Sequence, residues 1–342
     1  MTRRGVNYDV GIYPFGESRP SRPVFDPAVV RREIEIIKND LCCNAIRITG
    51  RDLERLVMAS EYALDLGLEV WFGPAFHDAT EQQALPYLAR CAAAAESLRQ
   101  KSPHIVFIAG WELTFFMKGL VLGETGMERV GAFMKPWRLL WSTLRIGPFN
   151  RNLNRLLTKA VGEVRRVFHG PVTYASGAWE TVDWTPFDFV SIDCYRDAMN
   201  KKIFRENLRK YFAHGKPVVV TEFGCCTYRG AEDKGGYGWA IVDWSKDPPQ
   251  IKGTYFRDEE VPARYLTELL DVFAGENVDG AFAFTFVMPK YPYNDDARFD
   301  LDMASYGLVR SYADRKGTAY PDMPWEPKLS FGALAEYYAR LR

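Results

Sequence analysis

Lys216-Pro217-Val218-Val219-Val220-Thr221-Glu222-Phe223-Gly224 is a short apolar run that ends on a carboxylate and then breaks at glycine. Its β-branched residues show no polar alternation, which predicts a strand buried on both faces, as in a parallel sheet. A run of that kind has no structural need of a charge, yet Glu222 follows directly on its last residues. The C-terminal end of a buried parallel strand is where barrel enzymes carry their reactive groups. If Glu222 is reactive, a second carboxylate belongs at the end of another strand.

Outward from this run, the same unit repeats. Residues 6–12 predict a first strand, with Asn7, Tyr8 and Asp9 near its outgoing end. A helix over 27–41 follows, with Asp26 as N-cap, Pro27 at the first helical position, and Val30, Ile34, Ile37 and Leu41 on one face. Residues 44–48 and 68–75 predict the second and third strands, with helices over 52–66 and 80–100. A fourth strand over 104–110 runs into Trp111-Glu112, and residues 113–149 interrupt the rhythm as an insertion of short helices. A helix over 150–168 then precedes the fifth strand at 171–175 and the sixth at 187–194. A helix over 204–213, the seventh strand at 216–222, a glycine-rich excursion over 224–258 and a helix over 261–274 come next. An eighth strand at 280–286 and a closing helix over 327–341 complete the chain. Eight short apolar strands alternating with helices predict a (β/α)₈ TIM barrel. Loop insertions follow strands four, seven and eight, all at the C-terminal face, and residues 1–342 read as one catalytic domain.

Composition narrows the function classes. Lys plus Arg and Asp plus Glu are both 44, so averaged over the chain there is no basic field for nucleic acid or a membrane surface. No apolar leader opens the sequence and no apolar run is long enough to span a bilayer, which points to the cytoplasm. Cys42, Cys43, Cys91, Cys194, Cys225 and Cys226 lack metal-ligand spacing, and most of them read as reduced, buried thiols. No metal and no organic cofactor is expected, and the oligomeric state is left open. Asn294-Asp295-Asp296, with Asp300 and Asp302, lacks the spacing of a calcium loop and reads as a solvated loop. Aromatic residues reach 14%, which suits either a large core or a cleft whose rings stack on sugar faces. Trp111, Trp137, Trp141, Trp239 and Trp244 are open to both readings.

The second carboxylate is Glu112, three strands from Glu222 around the barrel. Glycoside hydrolysis needs such a pair, one acid to protonate the leaving oxygen and one carboxylate to attack or to activate water. Trp179-Glu180 after the fifth strand, Asp9 near the outgoing end of the first and Asp193 at the end of the sixth are further substrate-site candidates. Glu180 is also the alternative acid. Each of these carboxylates could equally be the salt-bridged end of a structural element.

An acid/base glutamate after strand four and a nucleophile after strand seven resemble the clan A retaining glycoside hydrolases over nearly the whole chain. The resemblance implies that Arg47, at the end of strand two, supports the nucleophile. It implies that Tyr195, in Asp193-Cys194-Tyr195, hydrogen-bonds it, and that His77 faces substrate. Pro324-Trp325-Glu326-Pro327-Lys328, leading into a final helix, is also common in these enzymes. Two positions depart from the pattern: Trp111 stands where the clan has asparagine, and strand eight offers Phe284-Thr285-Phe286 instead of tryptophan. The chain also resembles actinobacterial proteins labelled abortive infection proteins.

The expectation is a retaining glycosidase acting on a short oligosaccharide or small glycoside. Glu222 would be its nucleophile and Glu112 its acid/base, with the carboxyl groups about 5 to 5.5 Å apart. Two alternatives share the chain: a transglycosidase using the same residues, and a non-catalytic carbohydrate-binding or defence-related barrel.

Overall fold

A computed structural model describes residues 1–13 and 19–341. Eight strands close into a barrel: Arg3–Gly11, Ala45–Gly50, Glu69–Pro74, Ile105–Trp111, Val172–Ser176, Val190–Asp193, Val218–Phe223 and Gly280–Ala283. Each pairs in parallel with the next in sequence, and the last pairs with the first. The predicted TIM barrel is therefore the observed fold.

Local signals explain several helix starts. Asp26 caps the helix Pro27–Asn39 by accepting from the Ala28 N–H at 2.9 Å, and Asp52 accepts from Glu54 and Arg55 at the start of Leu53–Asp65. Thr80 and Gln83 form a capping box on Glu81–Lys101. The insertion after strand four consists of helices Leu113–Phe116, Gly126–Phe133 and Pro136–Ile146. Two short antiparallel hairpins, Val242–Asp243 with Gln250–Ile251 and Val309–Ser311 with Trp325–Pro327, lie in the insertions after strands seven and eight. Among the described residues, no helix is long and apolar enough to cross a membrane.

Three expectations need correction. The sixth strand starts at Val190, not at residue 187, because Asp188 is turned outward to accept from the Val172 N–H and pair with Arg165. The eighth ends at Ala283, where the chain leaves the sheet through a cis Phe284–Thr285 peptide and Thr285 N–H donates to the Tyr306 carbonyl. Asp300 and Asp302 are not solvated: both are buried, with Arg257 donating to both and Lys328 within 2.9 Å of Asp302.

Strand alternation sorts the side chains. On the first strand Val6, Tyr8 and Val10 join the outer core under the helices, while Gly5 and Asn7 face the lumen. The lumen is filled from the floor upward. Trp71 packs against Phe189 and Phe282 at centroid distances of 5.3 and 5.0 Å, and Arg3 lies 4.8 Å over Phe189 while pairing with Glu69 and Asp279. Above that apolar layer the lumen turns polar, with Thr173 and Ser191 hydroxyls 2.8 Å apart.

The floor depends on one missing side chain. A Cβ on Gly5 would lie 2.2 Å from the ring of Phe282 on the neighbouring eighth strand, and the Gly5 carbonyl accepts from Tyr338 of the closing helix. Gly5→Ala is expected to cost about 1–3 kcal/mol of stability through overpacking. Urea denaturation checks this, and Gly5→Ala combined with Phe282→Leu should regain part of the loss.

Candidate active site

Two β-bulges set the site. On the seventh strand, Val220 pairs with Ile192 and Glu222 with Asp193, so the strand carries one residue more than its neighbour. In consequence Thr221 and Glu222, consecutive in sequence, both turn into the lumen. Thr221 Oγ1 donates to Asp193 Oδ1 at 2.8 Å, and Glu222 Oε1 accepts from Arg47 Nη1 at 2.5 Å. Phe223 then faces outward against Phe273. Gly224 must follow, because a Cβ there would lie 2.3 Å from the Phe284 carbonyl oxygen.

Arg47 is fully buried and gathers this end of the barrel. Its Nη1 also donates to Asn7 Oδ1 at 2.9 Å and to the Thr221 carbonyl at 3.3 Å, and it lies 4.0 Å from Asp193 Oδ1. Asn7 in turn donates to the Thr221 and Phe282 carbonyls at 2.9 and 3.2 Å. Tyr195 donates to the other oxygen of Glu222, Oε2, at 3.2 Å. Glu222 is thus held through both carboxylate oxygens, by a guanidinium and a phenol.

The fourth strand carries the second bulge. Ile108 pairs with Thr173 and Trp111 with Ala175, with Gly110 at φ +134° between them. Glu112 then sits in the left-handed region (φ 41°, ψ 41°), a conformation that costs a non-glycine residue about 1–3 kcal/mol and that clusters at functional sites. The backbone beyond it is pinned: Leu113 N–H donates to the Tyr174 hydroxyl at 2.8 Å and Thr114 N–H to Glu180 at 3.1 Å. The Glu112 carboxyl is pushed well above the usual carboxylate range, first by burial and then by the charges of Asp193, Glu222 and Glu180, with Arg47 opposing.

The remaining candidates divide. Asp193 is buried, and burial with the Glu222 charge raises its pKa well above normal while Arg47 opposes. Its Oδ2 has no hydrogen-bond partner among the described residues, and neither do Nε and Nη2 of Arg47. Glu180 is buried and saturated, accepting from Thr114 Oγ1 and the Tyr174 hydroxyl at 2.7 and 2.8 Å and from Gly177 N–H at 3.2 Å. Those bonds tie the loop after strand five to the backbone behind Glu112.

Trp179 donates to Thr114 Oγ1 and stacks on Phe115 at 4.0 Å. Trp111 is buried against Arg47, whose Cζ lies 5.4 Å from its ring. His77 is wedged between Phe116 and Trp111 with Nδ1 3.3 Å from the Tyr13 carbonyl; burial lowers its pKa to about 4, so it is neutral. Asp9 turns back on its own chain and accepts from Gly11 N–H at 2.7 Å. Cys225 and Cys226 are buried, with Cys226 Sγ 3.2 Å from the Ala304 carbonyl, and burial pushes both thiols up.

Two residues of this end escaped the sequence reading as site residues. Asn7 was legible in principle, as the polar member of a strand whose alternate residues are apolar. Tyr237 lies in the turn Gly235–Ile241, which Tyr306 fastens by accepting from Gly238 N–H and donating to the Gly235 carbonyl. Its hydroxyl pKa is raised by partial burial and then by the Glu112 charge. Nothing in the glycine-rich loop sequence marks it.

No protein-family model and no curated protein matches the chain. Solved structures do. A GH113 beta-1,4-mannanase gives a TM-score of 0.62 at 13% identity, with 99% of each chain covered. The GH113 beta-mannanase of Alicyclobacillus acidocaldarius gives 0.60 at 13% identity, covering 100% of this chain and 98% of that one. The endo-1,4-beta-D-mannanase of Thermotoga petrophila gives 0.54 at 12% identity, covering 99% and 100%. The fold is that of these glycoside hydrolases. The resemblance to abortive infection proteins is not supported by these matches.

A carboxyl whose pKa is raised on folding binds more protons in the folded than in the unfolded chain, so stability falls as pH rises through that interval. Glu112→Gln removes the penalty. The variant is expected to be more stable than the wild type at pH 7, with the difference vanishing below about pH 4, where an unfolded-chain glutamate is itself largely protonated. Urea midpoints at the two pH values check this; the same difference at both would contradict it.

Proposed function

We propose that the protein is a retaining glycoside hydrolase in which Glu222 is the nucleophile and Glu112 the acid/base. The observation that carries the reading is the opposite treatment of two glutamates at one end of the barrel. Glu222 is oriented by a buried guanidinium and a phenol, and Glu112 is kept toward its protonated form by burial and by neighbouring carboxylates. A carboxylate held in place by two donors beside a carboxyl kept toward its protonated form suits a nucleophile and an acid working as a pair. The fold likeness to glycoside hydrolases, three of them mannanases, is consistent with a glycosidic substrate.

In the first step Glu222 attacks the anomeric carbon while Glu112 gives its proton to the departing oxygen, leaving a glycosyl-enzyme ester. Loss of the proton turns Glu112 into a base, which takes a proton from water as the water attacks the same carbon from the face the leaving group vacated. Arg47 and Tyr195 hold Glu222 on line, and their contacts remain available to its carboxylate when the ester breaks. Trp111, where the clan has asparagine, removes an amide donor from beside the acid. Recognition of the sugar hydroxyls then falls to other groups at this end, with Asp193 Oδ2, His77 and Tyr237 the available ones. A short oligosaccharide or small glycoside is the substrate class.

The test is phenol release from a panel of aryl glycosides that includes furanosides and deoxy sugars. Glu222→Ala is expected to lower kcat by at least about 10⁴-fold, the order lost when a nucleophile is removed. Azide, filling the vacated space and attacking once, should restore turnover and give a glycosyl azide of inverted configuration. Glu112→Ala should slow substrates with poor leaving groups by about 10²–10⁴-fold and spare the most reactive ones. Net inversion by the wild type, or no release from any member of the panel, overturns the reading.

A further inference from the structure

Seven of the fifteen exposed large hydrophobic side chains among the described residues fall between Leu122 and Leu144, in the insertion after strand four. The helix Pro136–Ile146 is the centre of this patch. Only Ser142 on it is buried, and Trp137, Leu140, Trp141 and Leu144 are 65%, 61%, 51% and 72% exposed. Their spacing of i, i+3, i+4 and i+7 puts them on one face, which is the face a soluble helix ordinarily buries. Here that face is turned outward. The helix is anchored from its other side, by Ser142 Oγ accepting from Leu122 N–H at 3.0 Å and by Asn152 donating to the Ile146 carbonyl at 2.9 Å.

Basic charge predominates around the stripe: the acids of the insertion are Glu124, paired with Lys118, and Glu128, both ahead of the helix. Residues 129–162 contain no Asp or Glu. Of the bases there, Arg129 and Lys159 are paired with Asp78 and Glu81. Lys135, Arg138, Arg145, Arg151 and Arg155 form no ion pair among the described residues. Arg145 lies 4.6 Å over the Trp141 ring and Arg138 5.5 Å over Trp137, so the charges flank the apolar face instead of interrupting it.

A contact between two copies about a two-fold axis would set five unpaired bases against five more, with Glu124, itself paired with Lys118, and Glu128 as the acids of the insertion, which is costly. Tryptophan and leucine on one face, with lysine and arginine beside them, match the boundary between headgroups and acyl chains of a negatively charged bilayer. We propose that the outer face of helix Pro136–Ile146 docks the protein on an anionic lipid surface. The helix lies in the plane of that surface, its indoles and leucines in the boundary layer and its bases among the headgroups. Because the insertion follows strand four, docking brings the Glu112 end of the barrel toward the lipid. The net charge of zero for the whole chain conceals this local excess. The inference stands on the surface alone and does not depend on the glycosidase reading.

Sedimentation of the full chain with phosphatidylcholine vesicles, with and without phosphatidylglycerol, tests it. Binding is expected only to the mixed vesicles. It should weaken at about 1 M salt, where the screening length falls to about 3 Å. Trp137→Ser, Trp141→Ser and Leu144→Ser combined should lower the bound fraction at least about tenfold, and Arg138→Glu with Arg145→Glu should do the same without touching the apolar face. Circular dichroism and the urea midpoint establish that each variant is folded, and the charge variant serves if the triple one is not. Absence of binding to the mixed vesicles, or equal binding by folded variants, overturns the proposal. So does a wild-type dimer in gel filtration that the stripe variant converts to monomer, which would assign the face to a second copy.

Discussion

Arg47 places a positive charge in the lumen of a barrel, shielded completely from water. A lone buried guanidinium is severely unfavourable, so its neighbours must answer it. Glu222 supplies the counter-charge, Asn7 an amide oxygen, and the Thr221 carbonyl, freed from the ladder by the bulge, a further acceptor. The same bulge brings Thr221 round to Asp193. One charge therefore orders four strands, the first, second, sixth and seventh. The position of Glu222 is inseparable from that order.

Glu112 is positioned by different means. Its backbone is strained, and the strain is borne by rigid neighbours: the Tyr174 hydroxyl and the Glu180 carboxylate take the first amides of the helix that begins behind it. Glu180 looked in the sequence like a spare acid because it too follows a strand. The structure shows a carboxylate whose acceptor capacity is consumed by Thr114, Tyr174 and Gly177. Two glutamates at strand ends can thus have unlike duties, and only the count of donors around each tells them apart.

The barrel was readable because a parallel strand buried on both faces leaves an apolar run of a characteristic length, and 216–224 is such a run. Helix starts were readable at Asp26, Asp52 and Thr80 because capping is local chemistry. The bulges at Thr221 and near Gly110 were not, since one extra residue within an apolar strand does not alter its pattern. Nor was the burial of Asp300 and Asp302, which depends on Arg257 more than forty positions away. The outward face of Pro136–Ile146 was hidden for the opposite reason. Its periodicity is that of any core-facing helix, and only its neighbours in space show which way it points.

The floor of the barrel has a bearing on traffic. Trp71, Phe189 and Phe282, with Arg3 laid across them, fill the end of the lumen opposite Glu112 and Glu222. A plugged cylinder has one door. Whatever reaches these carboxylates, water included, arrives and departs through the ring of loops at the strands' outgoing ends. Entry and exit therefore compete for a single passage.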